Sequence, residues 1–464
     1  MGDNREIVVI GCGAAGGTAA QFARKTDRKA SITIFEKTMY PQYSKCGLPY
    51  AISGEIPKFE ELIEFPREWF EKQGINIFLE TRVERIDVKK HLVVGRQGGT
   101  VIEKTYDSLV IATGARPYIP PIQNVYQNGR LLYGVHVLRT IEDARQIFFE
   151  IKNDEKATIV GAGMIGLEVA DCLYKKGMKV TIVEALPTVL ANSLDSDMSD
   201  MVLQMIGKYV TLFMNHIITG VYGRNGKINK VFIKNKETGE EKEIDTDILV
   251  IAAGIKPEIS LAKKTGCRIG ETGGIIVDKR CETTIRDVYA AGDCTEYIDF
   301  VTKKPAQVGL GSIAVRQGIA AGINAAGGNY EMPDGILQTR TSRFFEIEIA
   351  AVGPTEKSLQ KNLMVSGKFK GSSLPKYLPG GEPIIIKTLI HGETGRILSA
   401  QAVGSNAAQR INTFACAIYN EMKVEKLRKL ETAYAPTIAP TLDAITLACD
   451  AAYIKLKHHK KSSS

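Results

Sequence analysis

The 464 residues contain one tryptophan, six histidines and eight cysteines. The cysteines, at 12, 46, 172, 267, 281, 294, 416 and 449, form no C-x-x-C and no other ligand spacing, so no metal site is expected. Thiols dispersed through so long a chain argue against a disulfide scaffold and for a reduced, cytoplasmic protein. Long apolar runs are missing too. Nothing approaches the ~20 residues that a membrane span needs, and the start, MGDNREIVVIG, enters a strand without a signal-peptide core. Charge of neither sign dominates: 60 Lys+Arg against 52 Asp+Glu leave +8. The bases are scattered, with no block before the last residues, which does not imply nucleic acid and suits anionic small molecules. What is present, 44% apolar and 24% charged residues, is the balance of a globular protein. Its length is enough for about three domains of ~150 residues each.

Two segments look alike. Residues 6–17 read EIVVIGCGAAGG and residues 157–168 read ATIVGAGMIGLE. Each is a β-branched run, then Gly-x-Gly-x-x-Gly, then a helix-forming stretch. Each is followed by a second strand that ends in an acid, SITIFEK at Glu36 and KVTIVEA at Glu184. Those acids lie 20 and 18 residues after the third glycine, the spacing of a dinucleotide-binding βαβ unit. In such a unit the first glycine makes the turn, the second admits a pyrophosphate and the third lets helix and strand pack closely. The first unit, with Glu36 for an adenosine ribose and a later Ala-Gly-Asp ending at Asp293, suits FAD. The second suits a nicotinamide coenzyme. Glu184 favours NADH, because a carboxylate repels the extra phosphate of NADPH and the following ALPTVLANSLD holds no Arg or Lys to receive it.

LVIATG (109–114), LVIAAG (249–254) and VYAAGDC (288–294) read as buried strands, Lys227 to Ile244 as a hairpin or meander, and Ala306 to Ala326 as a small-residue helix. After about residue 335 the pattern becomes α+β: four strands, then helices around Ala407–Met422 and after Ala439. The expected fold is α/β, with two Rossmann-type dinucleotide-binding domains and a C-terminal α+β domain. The FAD-binding domain takes 1–120 and 256–335, the inserted NAD(P)-binding domain 121–255 and the C-terminal domain 336–453, with a disordered tail at 454–464.

This order resembles the pyridine nucleotide-disulfide oxidoreductases, and within them the single-cysteine branch of coenzyme A disulfide reductases, NADH oxidases and NADH peroxidases. The resemblance is carried by YSKCGLPYAISGEI (43–56), IATGARP (111–117), GAGMIGLE (161–168), AGDCTEYIDFVTKKPAQVGLGS (291–312), GRILSAQAVG (395–404) and TAYAPTIAPTLDAI (432–445). It implies FAD contacts from Gly11, Gly13, Ala14, Ala15, Gly16, Glu36, Lys37, Val83, Ala112, Thr113, Gly114, Gly292, Asp293 and Gly311. It implies coenzyme contacts from Gly161, Gly163, Met164, Ile165, Gly166, Glu184 and Gly254, with Glu168 near nicotinamide and flavin. The C-terminal domain would build a homodimer with shared active sites.

Cys46 takes the place of the redox cysteine, and Gly47, Leu48, Pro49 and Tyr50 follow it without a second cysteine. Pro49 and Gly54 bracket a short helix with Cys46 near its N-terminus, a position expected to lower the thiol pKa. The oxidases and peroxidases carry a histidine in the first glycine loop, where this chain has Ala14, so a disulfide or persulfide substrate is favoured. Coenzyme A is implied as substrate or ligand, with Thr18, Lys25 and Lys45 to meet it, and Tyr434 and Tyr377 approaching the cysteine. Tyr434 would protonate the departing thiolate. After Pro436 the run Thr-Ile-Ala-Pro-Thr-Leu-Asp lacks the family's aromatic bulk, which also admits a persulfide or polysulfide. Two other readings stay open: an NADH oxidase making hydrogen peroxide, and an electron-transfer flavoprotein serving a protein partner.

Overall fold

Each β-branched run becomes a parallel strand buried on both faces, as strands between two helical layers must be. A computed structural model of the chain describes residues 4–360 and 364–463. The first sheet holds β1 (Glu6–Ile10), β2 (Ser31–Phe35), β3 (Ile75–Phe78) and β4 (Ser108–Ile111). Helix α1 (Ala14–Thr26) joins β1 to β2, and α2 (Leu48–Ser53) follows them. The inserted unit repeats the plan with β5 (Val135–Val137), α3 (Ile141–Glu150), β6 (Lys156–Val160), α4 (Met164–Lys175), β7 (Lys179–Glu184), α5 (Ser196–Ile206) and β8 (Thr211–Met214). The meander β9 (His216–Arg224), β10 (Lys227–Asn235) and β11 (Glu241–Asp245) follows, then β12 (Ile248–Ile251). The chain then returns to the first sheet through β13 (Val288–Ala290), which pairs with β4.

The first sheet has the order β13-β4-β1-β2-β3 and the second β5-β12-β6-β7-β8, so the two glycine-loop strands have equivalent neighbours. Two short strands, Ala115–Pro117 and Ile255–Pro257, leave and re-enter the first domain and pair antiparallel, Ala115 opposite Pro257. Helix α6 (Gly311–Ala325) lies against α1 at backbone contact. A Cβ on Gly318 or Gly322 would sit 2.4 Å from the Ala15 carbonyl oxygen or 2.2 Å from that of Ala19.

The C-terminal domain is an antiparallel sheet of β14 (Arg340–Phe344), β15 (Ile347–Val352), β16 (Met364–Ser372), β17 (Pro383–His391) and β18 (Ile397–Gly404), in the order β14-β15-β18-β17-β16. Helices α7 (Ala407–Tyr419) and α8 (Ala444–Ser463) close a core that contains Ile386, Phe414, Ala448 and Leu456. Helix α8 corrects the expected disordered tail, since it stays helical through Ser463. Leu456 is buried on the sheet side, and Lys457 stands over the Tyr453 ring at 4.7 Å. Cations are also favoured at a helix C-terminus.

A buried lysine links this domain to the inserted unit. Lys387 on β17 meets Asp195 at 3.0 Å and Asp197 at 2.7 Å, at the start of α5, and Glu356 at 2.8 Å. Asp195 is held by two further bonds: its backbone N–H donates to Gln401 Oε1, and its Oδ1 accepts from the Glu356 N–H.

Candidate active site

The two glycine loops match atom for atom. Gly11 N–H donates to the Phe35 carbonyl at 2.8 Å, and Gly161 N–H to that of Val183 at 2.9 Å. Glu36 accepts from Cys12 N–H at 2.7 Å, and Glu184 from Ala162 N–H at 2.6 Å. In each loop a side chain on the first or third glycine would strike backbone. Gly11 faces the Ala112 oxygen at 2.4 Å and Gly16 the Gly11 oxygen at 1.9 Å, while Gly161 and Gly166 face backbone oxygens at 2.6 and 2.0 Å. The middle glycines differ, because a Cβ on Gly13 or Gly163 meets nothing within 4 Å. That open space at a helix N-terminus is where a dinucleotide pyrophosphate fits.

Around the first loop the donors also suit FAD. Asp293 takes an ion pair from Arg139 at 2.7 Å, and its carbonyl accepts from Gln307 Nε2 at 3.1 Å. Arg139 Nε and Gln307 Oε1 are buried with no hydrogen-bond partner among the described residues, two polar atoms that a polar ligand would satisfy. Gly311 opens α6 with free space before it. Ala112, Thr113 and Gly114 follow β4, and Thr113 Oγ1 donates to the Glu258 carbonyl at 2.6 Å. Val83 and Ala15 are buried and Lys37 is exposed. Arg139 escaped the sequence reading: it lies in the connection before α3, outside any motif, and only the fold brings it to Asp293.

Cys46 sits in a 3-10 turn, Lys45–Gly47, that leads directly into α2. Pro49 lies in the first turn of α2, and Gly54 ends it with φ of +86°. Cys46 and Cys416 are the exposed cysteines, and the other six are buried. The Cys46 thiol is nevertheless pushed up from its ordinary value, by the surrounding walls first and then by the charges of Glu168 and Asp293, with Arg139 opposing. This corrects the expected lowering. The six-residue α2 is too short to offset that enclosure and two carboxylates. Glu168 is itself pushed up by burial, although its Oε1 accepts from Ser342 Oγ at 2.6 Å. That bond ties α4 of the inserted unit to β14 of the C-terminal domain.

The remaining candidates separate. Lys45 lies among Arg139, Glu36 and Asp293, and its ammonium is pulled down to about 8 by enclosure and by Arg139. Its ammonium stands over the Tyr43 ring at 5.9 Å. Thr18 is buried against α6, its Cβ 3.1 Å from where a Gly318 side chain would start. Lys25 is exposed over the Phe22 ring at 4.3 Å. Tyr377 and Tyr434 come together, hydroxyl to hydroxyl at 3.5 Å, and both are exposed on the single chain.

The model of the family described as pyridine nucleotide-disulphide oxidoreductase matches residues 5–318, and that of its dimerisation domain matches residues 339–444. The chain belongs to this family. The protein named NADH oxidase of Methanocaldococcus jannaschii is 36% identical over 459 residues, covering 97% of this chain and 99% of its own. The protein named NAD(P)H sulfur oxidoreductase (CoA-dependent) of Pyrococcus furiosus is 34% identical over 96% of this chain and 98% of its own. The solved NAD-dependent persulfide reductase from A. fulgidus superposes with a TM-score of 0.92 at 34% identity, covering 97% of this chain and 84% of that one.

As a pyridine nucleotide-disulphide oxidoreductase, the chain is an enzyme that uses FAD and NAD(P)H, the two molecules its two loops fit. Its C-terminal sheet is the family's dimerisation domain, which fits a homodimer. Among the described residues no helix is long and apolar enough to cross a membrane, and no group of His, Cys, Asp or Glu is arranged to hold a metal ion.

Proposed function

We propose that this oxidoreductase uses NADH to reduce a disulfide or persulfide of the coenzyme A type through Cys46 alone, within a homodimer. The observation that carries the reading is an exposed thiol at the motif position, in a first domain whose other cysteine up to residue 120, Cys12, is buried. The sulfur substrates named for the Pyrococcus and A. fulgidus proteins support the same choice. Bound FAD supplies the relay that carries the two electrons of NADH to the sulfur of Cys46.

The protein's own groups do the rest. Gly11, Gly13, Gly16, Glu36, Arg139 and Asp293 hold the flavin nucleotide, and Gly161, Gly163, Gly166 and Glu184 hold the coenzyme. The Cys46 thiolate attacks one sulfur of R–S–S–R′, forming a mixed disulfide and expelling R′S⁻. The partner subunit's Tyr434 gives that thiolate its proton, and Tyr377 restores the hydroxyl through the bond between them. Two electrons from NADH then reopen the mixed disulfide, releasing RS⁻ and the Cys46 thiolate. With one proton drawn from solvent, the turnover balances as NADH, H⁺ and R–S–S–R′ giving NAD⁺, RSH and R′SH.

A second reading, reduction of oxygen to hydrogen peroxide, is favoured by the name of the M. jannaschii relative and opposed by Ala14, where oxidases carry histidine. Anaerobic NADH turnover against coenzyme A disulfide, coenzyme A persulfide, polysulfide and glutathione disulfide, with oxygen as a separate arm, decides between them. Cys46→Ser should keep FAD and its bleaching by NADH while losing sulfur reduction. A variant that reduces these substrates at the wild-type rate refutes the cysteine mechanism and moves the electron-transfer reading ahead.

A further inference from the structure

At the end of β7, both oxygens of Glu184 are committed to backbone: Oε2 accepts from Ala162 N–H at 2.6 Å and Oε1 from Leu186 N–H at 2.8 Å. The next carbonyl, that of Ala185, accepts from Lys236 Nζ at 3.0 Å. Lys236 follows β10, more than fifty residues downstream, in a turn of the meander. Its backbone is stitched to the same place. Lys236 N–H donates to the Asn215 carbonyl at 2.8 Å, and Asn215 N–H donates to the Leu186 carbonyl at 3.0 Å. The ammonium is exposed and has no carboxylate partner among the described residues.

The sequence after Glu184 contains no base to receive a 2′-phosphate, but the fold delivers one from outside the βαβ unit. We propose that Lys236 is the 2′-phosphate contact of the coenzyme site and determines how well NADPH competes with NADH. In a unit of this kind the strand-end acid marks the adenosine ribose, and the 2′ position lies beside it. Glu184 disfavours a phosphate there, and a lysine one residue along the rim offsets that repulsion with a charge-assisted contact. The proposal rests on the assignment of the second unit to the nicotinamide coenzyme.

The test compares holoenzymes of the wild type, Lys236→Met and Lys236→Arg. The ratio of kcat/KM for NADPH to that for NADH should fall about five- to tenfold in Lys236→Met, the weight of one ordinary hydrogen bond at an exposed site. It should be retained in Lys236→Arg. Competition against NADH supplies a readout apart from turnover: 2′,5′-ADP should weaken relative to 5′-AMP by a similar factor, and its affinity should lose salt sensitivity. A Lys236→Met enzyme with both ratios unchanged overturns the proposal, because the lysine then only braces the Ala185 carbonyl. A wild-type flavoprotein that neither NADH nor NADPH reduces refutes the coenzyme assignment itself, which separates the two failures.

Discussion

Gly13→Ala and Gly16→Ala change the same loop by one methyl group each and should fail in opposite ways. At Gly16 the new carbon would lie 1.9 Å from the Gly11 oxygen and 2.9 Å from its carbonyl carbon. Non-bonded carbon contacts settle near 3.5–4.0 Å, so α1 must shift by more than an ångström off β1. Overpacking of this kind costs ~1–3 kcal/mol, and Gly11 backbone on one side with the Ala112 methyl at 3.1 Å on the other places this case at the upper end. Gly13 has ordinary extended dihedrals, φ −77° and ψ −166°, and empty space around its missing side chain. Its alanine variant should fold with stability within about 0.5 kcal/mol of the wild-type apoprotein. The methyl group instead takes the space reserved for the pyrophosphate, so FAD affinity should drop about a hundredfold or more, roughly 2.7 kcal/mol. The assay is thermal unfolding of the flavin-free proteins by circular dichroism, beside FAD titration of each. Apoproteins are compared because bound FAD adds stability by mass action. Full FAD retention by Gly13→Ala, or equal unfolding of the two apoproteins, would refute the assignment of that space.

Three further outcomes are expected. Alkylation of Cys46 by iodoacetamide in the holoenzyme should have its midpoint above the ordinary cysteine value of ~8.5, because enclosure first and then Glu168 and Asp293 oppose the thiolate; Glu168→Gln should move the midpoint down, and a wild-type plateau below pH 8 would contradict this. Mixing inactive Cys46→Ser with inactive Tyr434→Phe under subunit exchange should restore activity through hybrid dimers with one intact site, and no recovery despite proven exchange would mean that each chain builds its own. Lys387→Met strands Asp195 in a buried setting and should destabilise the protein by about 3–5 kcal/mol in chemical unfolding. Lysine raised above its ordinary value holds that contribution until strongly alkaline pH, whereas Asp197, held below its ordinary value, loses its share only as pH falls below ~4.

The βαβ duplication, the acids Glu36 and Glu184, and the position of Cys46 were legible because each is local, a matter of spacing within some thirty residues. What escaped the sequence is long-range. Arg139 meets Asp293 across 154 residues, Ser342 meets Glu168 across 174, and Lys236 reaches Ala185 from the meander. No periodicity announces such pairs. The Cys46 thiol follows the same rule: its local helix points one way, while enclosure by the fold and then two carboxylates from distant segments point the other. Thr18 looked available on a helix whose covering partner, α6, comes nearly three hundred residues later. The tail read as solvated because its lysines hid the one leucine, Leu456, that anchors the helix.

The ribbon formed by Ala115–Pro117 and Ile255–Pro257 gives the inserted unit of this enzyme one doorway. Its way in and its way out are paired residues, Ala115 opposite Pro257, so the two cut ends stand about 5 Å apart. A linker of two or three residues bridges that gap without disturbing β4 or β13. Excision would nevertheless take Arg139 from Asp293, Glu168 from Ser342, and Asp195 and Asp197 from Lys387, so the inserted unit is threaded through one junction and fastened at several others.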